Sequence, residues 1–567
     1  MHARTMSSPH ALLSLTYLAS RAALYLAGVR FDFSLDWMWL SDPADLRERL
    51  LETLYYFHAF PPGMNLVTGI LLKLGGADAA TLALATFWGL GLAFVNALFH
   101  LCRVSGVSTP VAMGIALAFS LVPPSIYLEH LYLYEYPIAA LLCIAAAFFY
   151  EAARRQTFWM WLAFFAICTA IGVTRSTFHL VWFAAMVGGA LWLSERAARR
   201  RVLGAAAVPA AVLLALYVKN LVLFGAFNAF TFGPVSHNLV TTWHLSPEVR
   251  AAWIAEGRLS PFAAVSVYAG PREYLPLLGP RAPADGPPQL TRLDRPSVHA
   301  GNYNHRLFLE VNRRRGADAL AYVQARPLEY AATVLTGLRD MFTPSTVWHP
   351  AEPTARSPHH QHRQVLGGYE AFYNRLMHSL PVPLIGLYAF VPFVVVWTVR
   401  RARSLLRARD GEARALGALL SFCLFQIAFV VTVSSAFTFR ESARYRYQIE
   451  AMLWLLTAVC VISLWRSWRR RDSPTEDPSG TRGIGNAVAA PPVPGEARRS
   501  ARGGGPLEQA ARSSRAVAVA ARHRLHRRGL PLEVAGARAA RWHPLLRPLG
   551  EPRPGGRQIG DPSGHHS

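Results

Sequence analysis

Two carboxylates carry the first chemical signal in this chain. Asp32 and Asp36 lie in the stretch Gly28-Val29-Arg30-Phe31-Asp32-Phe33-Ser34-Leu35-Asp36-Trp37, directly after the first apolar run. A carboxylate beside a bilayer costs desolvation energy, so it has a task, a partner or a solvated loop to occupy. The stretch continues through an amphipathic segment, Asp45 to Phe57, into a rigid corner, His58-Ala59-Phe60-Pro61-Pro62-Gly63. A second loop, residues 123–137, supplies Glu129, His130 and Glu135 among several tyrosines. Cations come from three further places: Arg175 in the turn 172–177, Lys219 at the end of an apolar run, and Arg440, Arg444 and Arg446 in the loop 439–447. Guanidinium forks match phosphate oxygens, and a carboxylate can take the proton of an acceptor hydroxyl or amine. The combination suits a lipid whose phosphate lies at headgroup depth. The plain alternative for Arg440, Arg444 and Arg446 is snorkelling to lipid headgroups. Arg175 and Lys219 are harder to dismiss, because both end spans on the side that otherwise lacks basic residues.

These loops need a scaffold. Of 567 residues, 52% are hydrophobic and 16% are charged. Apolar runs of about 18–24 residues recur, the length that crosses ~30 Å of hydrocarbon. The expected fold is an all-α polytopic membrane protein with ten spans, at 10–29, 78–101, 107–126, 134–150, 157–173, 176–194, 202–222, 382–399, 413–434 and 446–466. The first run is interrupted by Arg21 and imitates a signal peptide. No small-residue cleavage site leads from it into a soluble domain, so it reads as a retained anchor. Residues 62–74 are apolar but too short to span, which fits an interfacial or re-entrant helix beside the first loop.

Orientation follows from the arginines. With a cytoplasmic N-terminus, the short inner loops hold Arg103, Arg154 and Arg155, Arg199 to Arg201, Arg400 to Arg409, and Arg466 to Arg471. The short outer loops are acidic or mixed, which is the positive-inside pattern. The net charge of +24 is then a matter of topology and not of nucleic-acid binding. Four regions result. Residues 1–222 form a membrane module with its first outer loop at 30–77. Residues 223–381 form an outer segment with amphipathic helices at about 305–325 and 327–341. Residues 382–466 close the membrane part, and residues 467–567 are a basic cytoplasmic tail of disordered composition.

Several function classes lose support. Cys102, Cys143, Cys168, Cys423 and Cys460 all lie in or beside apolar runs, without metal-like spacing. No Walker loop or dinucleotide fingerprint occurs. His349 and the run His359-His360-Gln361-His362 have no acidic or Cys partner at site-like spacing, so no metal site is assigned to them. Trp37, Trp39, Tyr55, Tyr56, Tyr132 and Tyr134 cluster near outer span ends as interfacial anchors, some able to stack on a sugar.

The order of these motifs resembles a family. An Asp after span one, an amphipathic loop helix, His-x-x-Pro-Pro, Tyr134-Glu135-Tyr136-Pro137 and Glu441-x-x-Arg444-Tyr445-Arg446 are similar to the C-type (GT-C) membrane glycosyltransferases, such as protein O-mannosyltransferases and lipid A aminoarabinose transferases. Lys219-Asn220 to Gly225 and Asn302-Tyr303-Asn304-His305 also resemble bacterial membrane proteins of this broad group. The resemblance covers residues 10–466. It implies a polyprenyl-phosphate sugar donor, a glycan, lipid or protein acceptor, and transfer on the non-cytoplasmic face of the bacterial inner membrane. It implies a first-loop acid as base, Asp32 ahead of Asp36, and a second-loop acid, Glu135 ahead of Glu129. His58, Glu129, Arg175, Lys219, Arg440, Arg444 and Arg446 would line the substrate. The resemblance fixes no cofactor; a divalent metal is compatible with the acids, although no Asp-x-Asp occurs there to hold one tightly.

Two other classes stay open. A lipid or saccharide transporter or flippase needs polar groups across the midplane, where the spans offer little beyond Arg21. A non-catalytic envelope-assembly protein would tolerate loss of Asp32, Asp36 and Glu135 together.

Overall fold

Segments this apolar fold as helices, because a backbone in lipid must satisfy its own hydrogen bonds. The computed structural model describes residues 8–279, 285–341, 358–379, 390–437 and 442–472, which fall within one compact unit, Met1–Glu476. The protein is a membrane-embedded all-α chain. Among the described residues, five helical stretches are long and apolar enough to cross a bilayer: Gly63–Val104, Glu135–Arg155, Arg199–Phe224, Gly411–Phe437 and Arg444–Arg469. A sixth arises if Thr109–Leu121 and Pro123–Glu129, bent by 62° at their junction, count as one.

Of the ten spans expected, the one at 382–399 lies partly outside the described residues, which resume at 390, and others are shorter or more polar than this measure requires. Phe158–Gly172 and Leu180–Leu193 are apolar but have only 15 and 14 residues, about 22 Å of helix at 1.5 Å per residue. Ser8–Leu26 is long enough but carries Arg21 among its polar residues. Residues 62–74, expected as a separate interfacial piece, form the helix Gly63–Gly75, which continues through the tight turn Gly76–Asp78 into Ala79–Val104.

Glu135–Arg155 is the most buried of the five and forms the hub. It packs against Ala79–Val104, Phe158–Gly172, Gly411–Phe437 and Ser442–Asp472. Its own ends favour this helix: an acid in the first turn and Arg154 and Arg155 in the last complement the helix dipole. At the Arg end, basic turns from several helices meet acids and carbonyls. Arg154 pairs with Glu151 and Glu412, Arg201 donates to the Gln156 carbonyl, and Arg466 donates to the Gly106 carbonyl. The Glu135 end holds the loops of interest.

The mid-chain segment covers that end. Helices are found at Leu307–Ala325 and Pro327–Met341, where amphipathic periodicity places them. A small core of Phe232, Phe262, Tyr274 and Phe308 also takes in Met38 and Phe60 of the first loop. The segment is therefore built onto the first loop and shares its core. Its one sheet is a two-stranded antiparallel pair, Asp294–Arg295 with Ala300–Gly301. The basic tail beyond Asp472, His349 and Arg440 lie outside the described residues, as do the side chains of His359, His360 and His362.

Candidate functional site

The first and second loops are joined by backbone. Asp32 N–H donates to the His130 carbonyl at 2.8 Å, and Tyr132 N–H donates to the Asp32 carbonyl at 2.9 Å, a parallel bridge opposite Leu131. This pins Asp32 beside the loop that carries Glu135. Aromatic contacts extend the join: Phe33 meets Tyr132 at 4.7 Å between centroids, and Trp39, stacked on Trp37, meets Tyr134 at 4.9 Å.

Asp32 is 5% exposed. Ser34 donates to its Oδ1 from both the backbone N–H and the hydroxyl, a local Asx-type turn that fixes the carboxylate. Its Oδ2 makes no hydrogen bond among the described residues, which leaves one oxygen to accept a proton. Asp36 differs. Its side chain is exposed, and its fixed group is the main-chain carbonyl, held by Arg295.

Glu135 is fully buried at the start of the hub helix. Arg175 and Arg444 approach its Oε1 at 3.6 and 3.4 Å. The Arg175 guanidinium lies over two rings, 4.0 Å from the centroid of Tyr134 and 4.5 Å from that of Tyr445. A guanidinium carried over aromatic rings keeps its edge N–H groups for hydrogen bonding. Arg175 is itself buried, and its Nε has no acceptor among the described residues. Four separate parts of the chain thus meet: the first loop, the second loop, the 172–180 turn and the start of the last helix.

The turn bearing Arg175 is positioned by the Pro-Pro corner. Gly63 N–H donates to the Val173 carbonyl at 2.6 Å. A side chain at Gly63 would collide with Thr174 and with that carbonyl, so only glycine allows the approach. The backbone groups of His58 and Ala59 are also spoken for. Asn304 Oδ1 accepts from His58 and Ala59 N–H at 2.8 and 3.2 Å, and the His58 and Ala59 carbonyls accept from Thr231 and Phe232 N–H.

Four expected substrate ligands are otherwise engaged. His58 is fully buried, with Nδ1 2.8 Å from the Thr231 hydroxyl. Burial, helped by nearby Lys219, pulls its pKa down to about 3, so it stays neutral and offers no charge to a phosphate. Lys219 Nζ donates to the Phe57 carbonyl at 2.5 Å and to Leu54 at 3.5 Å, capping the loop helix Leu50–Tyr56. Arg446 pairs with Glu450 at 2.7 Å and donates to the Met341 carbonyl. Glu129 pairs with Arg21, Nη2 to Oε2 at 2.7 Å and Nε to Oε1 at 3.0 Å, and accepts from the Tyr17 hydroxyl.

That last pair explains Arg21 itself. Pro124 has no N–H to offer the Ser120 carbonyl four residues earlier. Arg21 Nη2 takes that carbonyl at 2.8 Å. The bend before Pro123–Glu129 and the buried arginine of the first helix are one device.

Arg295 gave no sequence signal, being a single basic residue in a Pro-rich stretch, yet it is buried against the first loop. Among the described residues, no group of three His, Cys, Asp or Glu side chains converges as a metal site would need. No family model, curated protein or solved structure matches the chain.

Proposed function

We propose that this protein is a membrane glycosyltransferase that moves a sugar from a polyprenyl-phosphate donor to an acceptor on the non-cytoplasmic face. The observation that carries the reading is Arg175: buried, with its guanidinium over two tyrosine rings, its Nε lacking an acceptor among the described residues, and held at the second loop that is bridged to Asp32. A buried donor without a partner calls for a ligand acceptor, and a planar guanidinium edge suits a phosphate.

In this reaction Asp32 Oδ2 takes the proton of the acceptor hydroxyl or amine. The acceptor oxygen or nitrogen forms its bond to the anomeric carbon as the carbon–oxygen bond to the phosphate breaks. Polyprenyl phosphate leaves with one more negative charge than it carried as a diester. Arg175 and Arg444 stabilise that charge as it develops. One displacement inverts the anomeric centre. Asp32 is preferred to Asp36 because its carboxylate is fixed and nearly dry, and Glu135 orients the two arginines. Arg440 belongs to the same group by its place in the last loop. The finer topology that goes with this reading has ten crossings, the short helices Phe158–Gly172 and Leu180–Leu193 included, both termini cytoplasmic, in a bacterial inner membrane.

A flippase is the second reading. It draws support from the Arg21–Glu129–Tyr17 cluster, polar groups buried in the apolar body. Proteoliposomes supplied with a panel of radiolabelled polyprenyl-phosphate sugars separate the two. Transfer releases free polyprenyl phosphate in step with labelled product. Movement of intact donor between leaflets without that release would reject the transferase in favour of the flippase.

A further inference from the structure

Residues 35–40 of the first loop contain no regular helix or strand, so their carbonyls need partners from elsewhere. One side chain supplies most of them. Arg295 Nη1 donates to the Trp37 and Leu40 carbonyls at 2.9 and 3.0 Å and reaches that of Leu35 at 3.4 Å. Its Nη2 donates to the Asp36 carbonyl at 2.5 Å. Its Nε donates to the Gly301 carbonyl across the two-stranded pair, at 3.1 Å, which anchors the guanidinium in its own hairpin. Arg295 is 2% exposed, and more than 250 residues of chain separate it from the loop it holds.

The same hairpin grips the loop twice more. Ser297 donates to Asp42 from its N–H at 3.0 Å and its hydroxyl at 2.6 Å, and Arg292 approaches Asp45 at 3.5 Å. The held residues bear on the site. Trp37 and Trp39 flank Arg295's carbonyl contacts and stack toward Tyr134, which covers one face of Arg175.

We propose that Arg295 is a positioning residue: through the carbonyls of residues 35–40 it sets the first loop, which carries Asp32, against the second loop and its Tyr134, the residue that covers Arg175. Its catalytic consequence rests on the transferase reading, while its structural consequence does not. Only a guanidinium can do this. Lysine keeps the charge but has one nitrogen, which cannot reach both the hairpin and the loop carbonyls.

Leu35→Cys provides a reporter, because the five native cysteines are buried. Maleimide labelling of the purified protein in detergent is followed in the parent, in Arg295→Lys and in the milder Ser297→Ala. Arg315→Lys is the control. Arg315 is equally buried in the same segment, but the carbonyls it holds, those of Phe262 and Val265, belong to that segment and not to the first loop. Labelling at Leu35→Cys is expected to rise about tenfold in Arg295→Lys, less in Ser297→Ala, and to stay level in Arg315→Lys. With a working donor, Arg295→Lys should lower kcat about 100-fold with KM changed little, the size expected for a reacting group displaced by about 1 Å. Unchanged labelling in both Arg295→Lys and Ser297→Ala, or an equal rise in Arg315→Lys, overturns the proposal. A selective rise in labelling without transfer from any donor would uphold the positioning of the loop and reject the transferase.

Discussion

Arg175 is held by its faces, and that decides what can replace it. Lysine keeps the charge but loses the planar edge between Tyr134 and Tyr445. Arg175→Lys should therefore cut transfer about 100-fold, the usual loss for one donor to a developing anion. Arg446→Gln, whose partner is Glu450 on the same helix, should stay within about threefold in the same assay. His58 gives a different signature. Its pKa is about 3 in the folded protein against an ordinary 6.5. Between those values the unfolded chain holds a proton that the folded chain does not, so His58's contribution is complete above pH 6.5 and is lost progressively as the pH falls toward 3. Melting temperatures should fall over that range, by less in His58→Gln; equal slopes in the two proteins would show that His58 does not govern the acid limb.

At the scale of elements, proline, glycine and buried charge set the junctions. The first helix is tied to the bent pair Thr109–Leu121 and Pro123–Glu129 by Arg21, Glu129 and the Ser120 carbonyl that Pro124 leaves unpaired. Removing one charge strands the other in an apolar interior, so Arg21→Met or Glu129→Gln alone should each cost about 3–5 kcal/mol, while Arg21→Met with Glu129→Leu should recover most of it. Thermal unfolding in detergent measures the cycle. The sequence made part of this visible. Arg21 stood out as the one charge within the first apolar run, and Glu129 stood out in the second loop. Their pairing was not legible, because nothing local links residues 108 positions apart. The Pro61-Pro62 corner was legible as rigid, whereas the fit of Gly63 to the Val173 carbonyl depends on a turn more than 100 residues away. His58 and Lys219 were chosen for residue type and place. Their partners in the fold, the Thr231 hydroxyl for His58 and the Phe57 carbonyl for Lys219, are not displayed by the sequence.

For the whole molecule, periodicity was the most readable property. The mid-chain helices Leu307–Ala325 and Pro327–Met341 fall where amphipathic spacing puts them. Span number was harder to read, because two of the apolar runs form helices of only 14 and 15 residues, shorter than the ~20 residues of a straight crossing. The arginine pattern predicts sidedness instead. Asp36→Cys and Tyr268→Cys should be labelled by a membrane-impermeant maleimide on intact cells, and Glu412→Cys, at the Arg-rich end, only after the membrane is opened. Labelling of Glu412→Cys in intact cells would invert the topology. Within that topology, the first loop, the second loop, the Arg175 turn and the last helix meet at one place. The most direct test is turnover of polyprenyl-phosphate sugar by wild type, Asp32→Asn and Asp36→Asn at matched expression. Chemistry at Asp32 predicts release of polyprenyl phosphate by wild type, about 1,000-fold slower release by Asp32→Asn, and substantial activity in Asp36→Asn. Turnover that survives in Asp32→Asn would contradict it.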